Sequence, residues 1–192
     1  MKVIFLDNDG VICLPNNWGS RFKKQRKVYT KENPRPLNSE IPVELRFDNF
    51  DKKAIKILNE ILEKTSAEIV VSSDWRFHAN LEELGNYYLS QGIIKKPIGV
   101  TPKSLNSNLP FYHRNTELEE TRAYEIKDWL KEHPEVTNWV AIDDLDMSER
   151  FGDITGNYRW GLKNFVHTHR YYEGIKQCGV KEKILKFLNY LP

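Results

Sequence analysis

Apolar residues in this chain fall into short unbroken runs that alternate with longer stretches of helical period. Val3-Ile4-Phe5-Leu6 is apolar throughout and gives way at once to Asp7-Asn8-Asp9-Gly10. An unbroken run of strand length suits a strand covered on both faces, as in a parallel α/β sheet. The pattern returns at Ala67-Glu68-Ile69-Val70-Val71, Ile98-Gly99-Val100, Trp139-Val140-Ala141-Ile142 and Asn164-Phe165-Val166-His167-Thr168. Between these runs the period changes. Ala54, Ile55, Leu58, Ile61 and Leu62 follow a capping Asp51, and Leu81 to Leu89 reads as a second helix. Ala123, Ile126, Trp129 and Leu130 mark a third, opened by a capping box at Thr116 and Glu119 and stopped before Pro134. Val180, Ile184, Leu185 and Leu188 mark a closing helix. Strands alternating with helices predict an α/β fold, a three-layer Rossmann-like and mostly parallel sheet.

Residues 14–50 break that rhythm. Pro34, Pro36 and Pro42 argue against one continuous helix, so the segment reads as an insertion, a flap or small cap after the first strand of a single domain spanning 1–192. Its first part is basic and aromatic, with Trp18, Arg21, Phe22, Lys23, Lys24, Arg26, Lys27 and Tyr29. Interleaved cations and rings can grip a phosphate backbone and stack bases. They equally suit a solvated loop whose aromatics seal the domain edge.

Composition narrows the class. A chain of 192 residues with 40% hydrophobic positions can bury a substantial core. The net charge of +2 provides no global polyanion-binding surface, so any such preference must be local. Cys13 and Cys178 lie far apart without metal-ligand spacing, which predicts a reducing compartment. The first apolar run is too short for a signal peptide, and no run is long enough to cross a bilayer, so the expectation is a cytoplasmic protein without membrane contact.

The chemistry gathers at strand ends. On an extended segment Asp7 and Asp9 share a face, and Gly10 permits a sharp turn. Asp-Asn-Asp-Gly is also ordinary turn composition; what changes the reading is that Ser72-Ser73 and Asp143-Asp144 follow two further strands. In a doubly wound sheet the first strand can lie beside the fourth, which would bring four carboxylates to one edge. Close carboxylates raise one another's pKa unless a cation joins them, and an all-oxygen cluster suits Mg²⁺. One carboxylate can then attack phosphorus, and its neighbour two residues on can donate a proton. A hydroxyl and a cation would hold the phosphoryl oxygens.

Asp7-Asn8-Asp9-Gly10-Val11, Val70-Val71-Ser72 and Ile142-Asp143-Asp144 resemble, in order and strand context, motifs I, II and IV of the haloacid dehalogenase (HAD) superfamily of phosphohydrolases. Ser72-Ser73-Asp74-Trp75-Arg76, Gly99-Val100-Thr101-Pro102 and the segment from Arg122 to Leu130 resemble more narrowly the HAD domains of Swiss Army Knife RNA-repair proteins. The resemblance implies that Asp7 is the nucleophile forming an aspartyl-phosphate and Asp9 the general acid, later the base. It implies Mg²⁺ held by the Asp7 carboxylate, the Asp9 backbone carbonyl and the Asp143/Asp144 pair, with Asp143 the closer ligand. Ser72 would contact the phosphoryl group, with Ser73 as the fallback, and Arg122 would be the motif III cation, with Lys127 and Arg114 as alternatives. An acid at Asp9 favours phosphate-ester hydrolysis over dehalogenation or phosphonate cleavage.

The expected activity is therefore Mg²⁺-dependent phosphomonoester hydrolysis on nucleic-acid ends or nucleotides, with Ser73, Arg76, Lys23 and Lys24 as substrate contacts. A small-metabolite phosphatase and a non-catalytic nucleic-acid-binding HAD fold are the alternatives. Several residues have competing readings. Arg76 serves either a buried ion pair or substrate, and Trp75 and Trp129 read as core. His167 and His169 share a strand face but lack further ligands nearby, so they read as a partly exposed edge. Asn157 to Gly161 and His169 to Tyr172 are polar-aromatic loops that either stack a base or cap the sheet. No Gly-x-x-x-x-Gly-Lys-Ser/Thr loop is present, which excludes a fused kinase module.

Overall fold

A computed structural model describes residues 1–15, 27, 29–32, 40–103, 118–151 and 159–189. Most of the predicted insertion, with Lys23 and Lys24, lies outside the described residues, as do Arg114 and Thr116.

All five predicted strands form: β1 (Lys2–Leu6), β2 (Glu68–Val71), β3 (Gly99–Val100), β4 (Asn138–Asp143) and β7 (Phe165–His167). Their order across the sheet is β3-β2-β1-β4-β7, and every neighbouring pair is parallel. β1 is thus central and lies beside β4. A two-stranded antiparallel pair, β5 (Arg150–Phe151) and β6 (Arg159–Trp160), stands apart from this sheet and was not foreseen from the pattern. The helices are α1 (Lys52–Thr65), α2 (Leu81–Gln91), α3 (Leu118–Glu132) and α4 (Val180–Asn189). Asp51 caps α1 by accepting from the backbone N–H groups of Lys53 and Ala54, and Asn80 with Glu83 forms a capping box at α2. No helix among the described residues is long and apolar enough to cross a membrane.

The pleat of β1 sorts its side chains onto two cores. Val3 and Phe5, with Val70 and Ala141, pack against Ala123, Ile126 and Trp129 of α3. Ile4 and Leu6, with Ile69, Val71, Val140 and Ile142, pack against α1, α2 and α4. The four apolar positions of β1 are fully buried, each worth about 1.5–3 kcal/mol by side-chain burial. That two-sided burial is why the run is apolar at consecutive positions instead of alternate ones. Phe47 and Phe50, where the chain returns from the insertion, are buried in the same core as α1 and α2.

Candidate active site

The sheet register aligns three strand ends. Asp7 donates its backbone N–H to the Ile142 carbonyl at 3.0 Å, and Ser72 donates to the Leu6 carbonyl at 2.9 Å. Asp7 continues the face of Val3 and Phe5, and Asp143 continues the face of Ala141, so both carboxylates point to the side covered by α3. Arg122 of α3 meets them there. Its Nη1 donates to Asp7 Oδ1 at 3.1 Å and to Asp143 Oδ2 at 3.0 Å, and its Nη2 donates to Asp74 Oδ1 at 2.8 Å. The other Asp143 oxygen accepts from the Leu145 backbone N–H at 2.9 Å. Asp7, Asp143 and Asp144 each present one oxygen, all within 4.8 Å of one another.

The turn after β1 is built around Asn8 and Gly10. The Asn8 carbonyl accepts from the backbone N–H groups of Val11, Ile12 and Cys13, while its side-chain Oδ1 points to the opposite core and accepts from the Tyr88 hydroxyl at 2.6 Å. Gly10 has φ +68°, and a Cβ there would fall 2.3 Å from Asp144 Oδ2. Glycine is required both for the left-handed backbone and for the carboxylate that occupies its side-chain space. Asp9 leaves the Asp7 trio: its Oδ2 accepts from Trp75 Nε1 at 2.8 Å. The Trp75 ring stacks on Phe47 at 4.1 Å with planes 6° apart and on Phe50 at 5.3 Å.

Burial pushes the Asp7 carboxyl well above the usual carboxylate range, the Asp143 charge adds to it, and Arg122 opposes both. Asp143 is raised to about 6, again chiefly by burial and against the pull of Arg122. Asp9 and Asp144 are raised too, with burial as the largest cause in each. Burial works against the charged guanidinium of Arg122, but Asp143 and Asp7 outweigh it and hold its pKa above its ordinary value. With three carboxylates ionised, one guanidinium leaves two negative charges over in a largely buried space. A divalent cation would offset that surplus, and an all-oxygen donor set suits Mg²⁺. Among the described residues the buried Ser72 and Thr101 hydroxyls, at the ends of β2 and β3, find no hydrogen-bond partner, and the buried Ser73 hydroxyl lies beside Asp7. Unpartnered buried hydroxyls are unfavourable, and phosphoryl oxygens would satisfy them.

Residues 3–177 match the family model for the HAD domain in Swiss Army Knife RNA repair proteins. The chain belongs to that family. No curated protein and no solved structure matches it. As a HAD domain it is a phosphohydrolase of the general HAD type, and its family context is RNA repair.

Within this HAD domain Asp7, Asp143, Asp144 and Arg122 come together as one group, with Asp9 and Ser72 beside it. Among the alternatives to Arg122, Lys127 lies over the Tyr124 ring at 5.4 Å and touches none of these carboxylates, and Arg114 lies outside the described residues. Arg76 makes a buried ion pair with Glu125 at 2.5 Å, both side chains only 4% exposed, and approaches Asp74 at 3.8 Å. His167 Nε2 contacts the Asp144 backbone carbonyl at 2.9 Å, and neither it nor His169 joins the carboxylate group.

Sequence reasoning missed four participants, Trp75, Asp74, Glu125 and Thr101. Trp75 is core, as expected, but its N–H also holds Asp9, and no local pattern announces a contact across 66 positions. Asp74 and Glu125 extend the chain of charges from Arg122 to Arg76, and the Asp74–Arg122 and Glu125–Arg76 contacts span 48 and 49 positions. Thr101 alone carries a sequence signal, because it follows β3 as Ser72 follows β2.

Proposed function

We propose that this HAD domain hydrolyses a phosphomonoester through an aspartyl-phosphate on Asp7, with Mg²⁺ held by Asp7, Asp143, Asp144 and the Asp9 backbone carbonyl. The observation that carries the proposal is the convergence of Asp7, Asp143 and Asp144 from two strand ends on one point, under Arg122. When bound, the metal supplies charge compensation and polarises the phosphoryl group.

The chain's own residues account for the remaining roles. An Asp7 oxygen attacks phosphorus while the ester P–O bond breaks, and Asp9 gives its proton to the departing oxygen. Asp9 then takes a proton from the water that attacks phosphorus, releasing phosphate and restoring Asp7. Burial raises the Asp9 pKa, which suits a group that must both give and take a proton. Ser72, backed by Ser73 and Thr101, would donate to the phosphoryl oxygens, and Arg122 would stabilise the charge that develops on them. Arg76 acts here through Asp74, which it helps to hold against Arg122.

The substrate class we favour is a nucleic-acid end or a nucleotide. The RNA-repair family supports it, as does the basic and aromatic composition of residues 14–50, with Lys23 and Lys24 as contacts to the strand. An aryl phosphate tests the chemistry without regard to substrate. Turnover should require Mg²⁺, stop with EDTA and fall by roughly 10³-fold or more in Asp7→Asn. Hydrolysis that survives both treatments would end the covalent proposal. Comparing mononucleotides with 3′- and 5′-phosphorylated oligonucleotides then tests the substrate class, with the oligonucleotides expected to be preferred.

A further inference from the structure

The loop after β7 leaves the sheet at the same edge as the carboxylate group and is fastened to the backbone of Asp143 and Gly10 at one end and of Val11 at the other. Thr168 donates its backbone N–H to the Asp143 carbonyl at 2.9 Å and its hydroxyl to the Gly10 carbonyl at 3.2 Å. Ile175 donates to the Val11 carbonyl at 2.9 Å, and Gly174, with φ +53°, lies so close that a Cβ would fall 2.2 Å from that carbonyl oxygen. Within the loop the Gln177 side-chain amide donates to the Arg170 and Gly174 carbonyls, and Gly174 donates to Arg170.

The rings carried by this braced loop do not cover the sheet. Tyr171 is 46% and Tyr172 62% exposed. Their ring centroids lie 3.8 Å apart with the planes tilted by 38°, and their hydroxyls are hydrogen-bonded to each other. Tyr171 is three residues past Thr168, so at most about 11 Å of chain separates it from the latch to Asp143 and Gly10. Exposed Arg170 and His169 adjoin the pair, and Arg170 also meets Glu173 at 3.4 Å.

We propose that Tyr171 and Tyr172 form a stacking platform for an unpaired nucleobase of the strand whose terminal phosphate enters the carboxylate site. The inference rests on the nucleic-acid-end reading above and adds a base-binding subsite on the β7 side. Aromatic rings beside a cation suit a flat π-face attached to an anionic backbone, and such stacking tolerates any base. The loop's own hydrogen bonds hold the platform in place before a strand arrives, so little ordering is lost on binding.

The test uses the full chain and fluorescently labelled, single-stranded oligonucleotides bearing a 3′- or a 5′-phosphate. Binding is read by anisotropy in EDTA, so that no turnover occurs. Tyr171→Ala/Tyr172→Ala should weaken binding of the preferred oligonucleotide roughly tenfold or more. Tyr171→Phe/Tyr172→Phe, which keeps the rings, should stay within about twofold of the wild type on the same stacking argument. Hydrolysis of an aryl phosphate with Mg²⁺ should be unchanged in both variants. Unchanged oligonucleotide affinity in the alanine variant overturns the platform, as does equal weakening in the phenylalanine variant or a parallel loss of aryl-phosphate turnover. The two readings fail separately. Oligonucleotide binding that needs the rings in a protein without phosphatase activity would leave the platform standing and remove the hydrolase reading. Hydrolysis with ring-independent binding would do the reverse.

Discussion

The indole N–H of Trp75 aims Asp9 and opposes the effect of its burial. A hydrogen bond to an ionised carboxylate favours the charged form, so Trp75 holds down a pKa that burial has raised. Trp75→Phe keeps a ring for Phe47 and Phe50 to stack on and removes the donor together with part of the indole's buried volume. Its kcat on an ester with a poor leaving group should fall roughly tenfold, in line with a lost bond to a charged group. Because the proposed first step needs Asp9 protonated, and its pKa rises further without the indole, the alkaline limb of the pH profile should move to higher pH. An unmoved limb would show that the contact only packs. At Arg122 the side-chain type matters as much as the charge. One planar guanidinium reaches Asp7, Asp143 and Asp74 together, which the single ammonium of a lysine does not reproduce.

At the scale of elements, the device is a strand that stops in a glycine turn. β1 delivers Asp7 onto the α3 face, and the turn must then bend tightly enough to admit the Asp144 carboxylate into the space beside Gly10. Gly10→Ala should lower stability by about 1–3 kcal/mol from backbone strain and weaken Mg²⁺ binding about tenfold or more by displacing Asp144. Gly92→Ala is the control: φ there is +97°, but no described residue lies within 4 Å of the added Cβ. It should show strain in a thermal melt while leaving Mg²⁺ affinity, measured by calorimetry, unchanged. Equal effects on metal affinity would mean that proximity to Asp144 is irrelevant.

For the whole molecule, buried carboxylates tie stability to pH and, on the proposed function, to metal. The Asp143 pKa is raised from 3.8 to about 6, and Asp7 is raised as well. A folded-state pKa above the unfolded value contributes stability that is complete below pH 3.8 and lost as pH rises through about 6. Without a divalent cation the fold therefore loses that contribution between about pH 4 and neutrality. The proposed Mg²⁺ binding would require deprotonated carboxylates and so would strengthen over the same interval. The gain in Tm on adding Mg²⁺ should be small at pH 5, larger at pH 8, and erased by EDTA. An equal gain at both pH values would count against metal binding at these aspartates.

Much of this was legible in the amino-acid order. Unbroken apolar runs announced strands covered on both sides, their alternation with helical periods announced a parallel sheet, and Asp7, Ser72 and Asp143 stood where strands end. Such signals are local, because side-chain direction along a strand or helix follows from covalent spacing. Contacts between distant elements were decided only by the tertiary structure. Arg122, Lys127 and Arg114 were equal in charge, and the packing of α3 against Val3 and Phe5 turned Arg122 toward Asp7 and Asp143. The pleat that would carry Asp9 alongside Asp7 ends at the Asn8–Gly10 turn, so Asp9 goes instead to Trp75. Whether Tyr171 and Tyr172 cap the sheet or face solvent depended likewise on where the loop is tied, to Gly10 and Val11, more than 150 residues earlier. Identity and spacing determine which elements form, but a side chain's partner depends on how those elements pack, and that is a property of the whole chain.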